Sequence, residues 1–203
     1  MKFNIKFYLK FRNALYLRLF RLFYKSKFKS FGTKSGIYSH LKIDGIENIS
    51  IGNNVNVAYK SWLAAVPHTG EKACELIIGD GSCIGNFNHI YATKSIVIGK
   101  NVLTADKVYI SDNLHSYENV LLPIMKQPIK QIASVVIGDG CWLGENVCVI
   151  GANVGKNSVI GANSVVTRDI PDFCIAVGSP AQVIKRFCFE REKWLKTDKN
   201  GNF

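Results

Sequence analysis

The stretch VVIGDGCWLGENVCVIGA, residues 135–152, decides the fold. In it Ile137, Leu143 and Val149 stand six residues apart, and Cys141 and Val147 follow the first two of them by four. A step of six is the period of neither a helix face nor a simple strand. Four other stretches keep it: ISIGNNVNV at 49–57, LIIGDGSCIGNF at 76–87, IVIGKNVLTA at 96–105 and VGKNSVIGANSVV at 154–166. Ile78, Ile84, Ile90 and Ile96 form one series, Ile98, Thr104 and Ile110 a second, and Ile160 and Val166 a third. Ser82, Val102, Val108 and Ser164 repeat the small or β-branched choice four residues after a start.

A six-residue unit with two inward positions makes one short side of a triangular coil. Three units return the chain parallel to itself, and backbone hydrogen bonds then pair coil with coil. Gly and Asn serve the corners, where positive φ is needed. Single IGxN turns occur in β-sandwiches, but so many units in register predict an all-β protein built as a parallel β-helix.

These units resemble the hexapeptide-repeat acyltransferases, and the resemblance covers roughly residues 43–186. Its most specific part is VIGANSVVTRDIPDFCIAVGSPAQVIKR, 159–186, similar to that family's last coil, exit, Gly-x-Pro-Ala and short helix. The resemblance implies a left-handed parallel β-helix that forms homotrimers. Within the family the chain looks most like the O-acetyltransferases of bacterial surface polysaccharides. The expected organisation is a basic amphipathic helical segment at 1–42, a β-helix at 43–170 with a protruding loop at 111–134, and an exit segment with a short C-terminal helix at 171–203. One departure stands in LGENVCVIGANV, 143–154, which steps eleven residues where the family has twelve. The shortened side is expected near the cofactor groove.

From Ser111 to Ser134 the hexad is absent. Long loops inside compact domains are functional or disordered, and Leu121, Leu122, Pro123, Ile124, Met125, Pro128 and Ile129 make this one too apolar for a free linker. His115 lies near its start, and an imidazole can take a proton near neutral pH. The resemblance implies the catalytic base here, because relatives place it in this loop, often as Asp-His-x-His. This chain reads Asp112-Asn113-Leu114-His115, so Asn113 replaces the first histidine. Asp112 would orient the imidazole or bond its own backbone, and Tyr117 would touch substrate or pack the loop. Asn86 matches an acceptor-binding asparagine of the galactoside acetyltransferases, and its bland reading is a coil corner. Asn88 falls at an inward, structural position.

Trp142 precedes the inward Leu143 and should face outward, where something must cover so large an apolar surface. The resemblance places it in the acceptor and coenzyme A groove; the 111–134 loop is the alternative cover. Acetyl-CoA is the implied co-substrate, with Gly144 and Ala162 along its pantetheine arm and Arg168, Lys185 and Arg186 near its nucleotide end. No metal is expected. The six cysteines lack CxxC spacing and suit packing positions, and the four histidines lack the close pair of the zinc carbonic anhydrases built on this fold.

The net charge of +11 is unevenly placed. Residues 1–43 hold eleven Lys or Arg and no acid, and the remaining 26 − 11 = 15 bases balance 15 acids. A neutral body argues against nucleic acid. Free thiols and the lack of an export signal suggest the cytoplasm. In FYLKFRNALYLRLFRLFY, 7–24, Tyr8, Phe11, Leu15, Leu19 and Leu22 keep helical spacing, with Lys10, Arg18, Arg21 and Lys25 largely off the stripe. Such a helix binds an anionic membrane surface, or caps the β-helix or packs between subunits, and these are compatible. The readings that follow are O-acetyl transfer to a sugar of a surface polysaccharide or its lipid-linked precursor, N-acetylation of an amino sugar or small acceptor, and a non-catalytic membrane-associated scaffold.

Overall fold

A computed structural model describes residues 5–198 and 201–203. Short parallel strands stack on three faces of a triangular prism. The first face holds Ser30–Phe31, Ile49–Ile51, Glu75–Ile78, Ser95–Ile98 and Val135–Ile137, continued by single bridges at Val154 and Ile170. The second holds Gly36–Ile37, Asn56–Val57, Cys83–Ile84, Leu103–Thr104, Trp142–Leu143, Val159–Ile160 and Cys174–Gly178. The third holds Lys42–Asp44, Trp62–Ala65, His89–Ala92, Tyr109–Ser111, Cys148–Ile150 and Val165–Val166. This order fits a left-handed parallel β-helix.

The six-residue step is the cause. Ile78, Ile84, Ile90, Ile98, Ile110, Ile137, Leu143, Val149, Ile160 and Val166 are all fully buried along the axis, each burial removing about 1.5–3 kcal/mol of apolar exposure. The residues four positions after each start, Ser82, Val102, Val108, Cys141, Val147 and Ser164, are buried with them. Ser82 donates to Gly99 O at 2.7 Å and accepts from Val102 N at 3.0 Å, so the inward hydroxyl is satisfied between coils. At the corner after the first face, Asn54, Asn101 and Asn157 take positive φ.

Corner aspartates clamp each coil to the one before. Asp80 accepts from Asn53 N at 2.6 Å, Asp106 from Asn86 N at 2.7 Å, Asp139 from Lys100 N at 2.7 Å and Asp172 from Lys156 N at 2.9 Å. A carboxylate accepting backbone N–H groups makes a charge-assisted hydrogen bond, stronger than a neutral one.

Two expected boundaries move. The prism begins at Ser30, which pairs with Ser50, so residues 30–42 belong to the first coil and not to the helical head. That coil has no IGxN unit to advertise it. At the other end there is no C-terminal helix among the described residues: Ala181–Cys188 is a strand, antiparallel to Cys174–Gly178 and to Lys193–Lys196. The turn at Gly178–Ala181 sends the chain straight back along the second face, where strand pairing satisfies backbone groups that a helix would have paired internally.

The helical head itself is α1, Ile5–Tyr24, rich in Leu, Lys and Arg and free of Gly and Pro. It lies across the open end of the first coil. Phe20 is buried against Phe28, Phe31 and His40, Tyr16 bonds His40 Nδ1 at 3.3 Å, and Arg21 donates to Ser35 O at 2.7 Å.

Candidate active site

The chain leaves the prism at the edge between the third and first faces, and Asp112 fixes the exit. Its carboxylate is fully buried and accepts five hydrogen bonds: from Thr93 N and Oγ1, Lys94 N, Ser95 N and Asn113 Nδ2, at 2.7–3.0 Å. This is the corner clamp seen at Asp80 and Asp139, enlarged. Both oxygens face the preceding coil, and neither expected role describes Asp112: no bond joins it to His115, and the backbone it holds is that of residues 93–95, not its own. Asn113 supports the exit too, donating to Tyr91 O at 3.1 Å, while its N–H bonds Ser111 Oγ.

Beyond the clamp, Asn113–His115 pairs antiparallel with Ile129–Gln131, and His115 sits opposite Ile129. The imidazole is exposed on this hairpin. Gln127 is the loop's buried spine, donating to Asn119 O and Leu122 O. Lys130 bonds Glu118 at 2.7 Å and holds its carboxyl down at about 2. The loop's tip is uncovered in the single chain: Val120, Leu121 and Met125 are almost wholly exposed, and Tyr117 is exposed beside them. At the return, Ile132 packs on Gly151, which has positive φ. That glycine is where the 143–154 segment is one residue short. The shortening therefore tightens the loop edge and leaves the second face, where Trp142 lies, in regular register.

Trp142 does face outward and is half exposed, so its own loop does not cover it. It belongs to a row that composition concealed. Outward positions on the second face align Cys83, Leu103, Trp142, Val159 and Ile175, then Lys185 and Lys196 on the antiparallel strands. The row is apolar until its end, where two cations stand together. Leu103, Val159, Ile175 and Lys196 were legible only as residues one place before an inward neighbour or on strands not foreseen. Gly144 and Ala162 meet at the adjoining corner, where a Cβ on Gly144 would lie 2.6 Å from Ala162 N.

The basic residues separate. Lys185 shares the row with Trp142, but Arg186, the next residue of the same strand, points to the opposite side and lines a different cavity with Phe187, Phe189 and Phe203. Arg168 is exposed and borders an open cavity of about 490 Å³ with Pro180 and Gln182. Asn86 is a corner residue: its amide donates to Asp106 and accepts from Tyr59 N at 3.1 Å, which leaves little for an acceptor. Asn88 is buried, bonding Ala105 O and Thr104 Oγ1.

The third face carries an aromatic column that sequence reading missed. Trp62 and His89 stack at 4.1 Å and 8°, and Tyr91 and Tyr109 continue the column toward the loop exit. Burial pushes the His89 pKa down. The signal was an aromatic or His one residue before each inward Leu63, Ile90 and Ile110.

In a triangular section the loop edge is the one opposite the second face. His115 and Trp142 of one chain thus stand on opposite sides of the prism.

A model of the hexapeptide repeat of succinyl-transferase matches residues 134–168. The Escherichia coli protein WbbJ, assigned to O-acetyl transfer in lipopolysaccharide biosynthesis, is 35% identical over 128 residues, 60% of this chain and 65% of WbbJ. Over these segments the chain is similar to hexapeptide-repeat acetyltransferases. Galactoside O-acetyltransferase of Escherichia coli is 38% identical over 102 residues, 49% of each chain. The chain spans between about half and two thirds of the length of the curated relatives named here. Among solved structures, the N-acyltransferase AntD of Bacillus cereus, in complex with dTDP and 3-hydroxybutyryl-CoA, superposes with TM-score 0.68 at 21% identity, covering 80% of this chain and 85% of AntD. A Vibrio cholerae hexapeptide-repeat acetyltransferase complexed with acetyl-CoA gives 0.56 at 22% identity, over 80% of this chain and 73% of its own. These two share the fold.

Proposed function

We propose that the chain transfers acetyl from acetyl-CoA to a hydroxyl of a surface-polysaccharide sugar or its lipid-linked precursor. The second-face row carries this reading. An apolar run from Leu103 through Trp142, Val159 and Ile175 that ends on Lys185 and Lys196 matches a long ligand, apolar along its arm and anionic at its far end. Three strand spacings separate the Trp142 and Lys185 strands, about 14 Å. Gly144 and Ala162 offer backbone at the corner beside Trp142, and Lys185 the phosphate contact.

His115 serves as general base. It takes the proton of the attacking hydroxyl, whose oxygen bonds the thioester carbonyl carbon; the carbon–sulfur bond then breaks and the thiolate leaves, accepting that proton. No acyl-enzyme is required. Of the available nucleophiles, the Cys74 and Cys141 thiols are pushed up by burial to about 12 and about 11 and donate to backbone carbonyls. Since His115 and Trp142 stand on opposite sides of one prism, the site closes between copies, as in a homotrimer whose apolar loop tips reach neighbouring subunits.

The test is acetyl transfer by His115→Ala with labelled acetyl-CoA, over lipid-linked oligosaccharides, free sugars and amino sugars. Loss of about 100-fold or more in kcat is expected for a missing general base. Full activity would refute the mechanism. Wild-type protein that neither binds nor turns over acetyl-CoA would leave the scaffold reading, and transfer to amino sugars alone would make the reaction N-acetylation.

A further inference from the structure

We propose that the outward side of α1 docks on an anionic lipid surface. The helix has two apolar sides, of which the prism uses one. Asn13, Tyr16, Leu17, Phe20 and Arg21 turn toward the first coil and are buried or half-buried. Around the remainder run Phe11, Leu15, Leu19, Leu22 and Phe23, exposed by 45–72%. At 100° per residue these five form a single continuous arc. Lys10 and Arg18 line one margin, both exposed, exposed Lys25 follows the end of the helix, and exposed Arg12 stands within the arc.

Charge selects the occupant. With eleven basic residues and no acid in 1–43, a second copy of this arc would bring like charges together around the contact. Nucleic acid would answer the charge but leave five large apolar side chains uncovered. A bilayer with acidic headgroups satisfies both, because the apolar arc enters the interface while the bases remain among the phosphates. No helix of the described residues is long and apolar enough to cross a membrane, so α1 lies on the surface.

The capping contacts also set the geometry. Because α1 crosses the open end of the first coil and the loop leaves from the fourth, docking holds the loop three coil rises, about 14 Å, plus the width of the helix, about 10 Å, from the lipid. That height suits a saccharide carried on a lipid. This last point rests on the acetyl-transfer reading, whereas lipid binding does not.

The test is co-sedimentation of the full chain with phosphatidylcholine vesicles, alone or with about one third phosphatidylglycerol. Binding to the acidic vesicles is expected, weakening about five-fold for each basic residue removed. The exposed-site variant Phe11→Ser/Leu15→Ser/Leu19→Ser/Leu22→Ser should lose it by more than 10-fold, since each truncation removes an interfacial anchor. Its far-UV spectrum and its turnover of a soluble acceptor should be unchanged. Equal binding to both vesicle types, or by variant and wild type, overturns the proposal. So does failure of wild type to bind combined with an oligomer that the variant breaks, which would assign the arc to a second copy. Acetyl transfer to a soluble acceptor, measured alongside, reports on the enzymatic reading independently.

Discussion

Replacing Asp112 by Ala distinguishes an anchor from a catalytic partner. The substitution strips acceptors from Thr93 N, which is buried, and from Lys94 N and Ser95 N, which are partly covered at the loop exit. An unsatisfied buried amide costs about 1–3 kcal/mol, and bonds to a charged acceptor are at the upper end. Allowing for relaxation and water entry, the three together predict about 3–6 kcal/mol of lost stability. For a chain of this size each kcal/mol moves Tm by about 2–4 °C, so a fall of roughly 6–24 °C is expected. Asp112→Asn keeps one acceptor oxygen and should cost about half as much. Denaturant unfolding followed by tryptophan fluorescence gives the stability, and acetyl transfer well below Tm gives kcat. The reasoning predicts destabilisation with an activity loss that tracks the displaced loop. If Asp112→Ala unfolded with wild-type midpoint and slope yet lost activity, Asp112 would be a catalytic partner and the anchor argument would be wrong.

Three further outcomes follow from local geometry. Gly151→Ala should destabilise by about 1–3 kcal/mol, because positive φ strains any other residue and its Cβ would lie 2.8 Å from Ile132 Cγ2; Ile132→Ala in the same chain should recover part of this in thermal unfolding. Lys185→Ala should raise KM for acetyl-CoA about 5- to 10-fold with kcat little changed, as loss of one charged contact implies, while Arg186→Ala should leave KM near wild type; the opposite order would remove the second-face row as the binding strip. Cys74 and Cys141 should resist alkylation at pH 8 until the protein is denatured. Their folded pKa values of about 12 and about 11 lie above the unfolded one, so their contribution to stability is whole below pH ~8.5 and lost as pH rises through the folded values. Rapid labelling of native protein at either position would contradict their burial.

The sequence determined the prism by itself, because side-chain direction along a short strand is a local property. A step of six with two inward positions fixes which residues point to the axis, and Ile78, Ile84, Ile110 and Leu143 lie where that step puts them. The same regularity marked its own interruption at Ser111 and the outward aim of Trp142. Pairing between distant segments was decided only in three dimensions. Four of the five donors to Asp112 come from residues 93–95, one coil earlier, and nothing in Ser-Asp-Asn announces those four. Strand pairing likewise recruited Ser30–Phe31 to the first coil and made Ala181–Cys188 a strand where a helix was expected. It also set Lys185 in line with Trp142 and turned Arg186 away. For α1 the sequence showed the charge and one apolar stripe. Contact with the first coil determined that Phe20 faces inward and left Phe11, Leu15, Leu19 and Leu22 outside, since capping an open prism end needs only a narrow side of a helix.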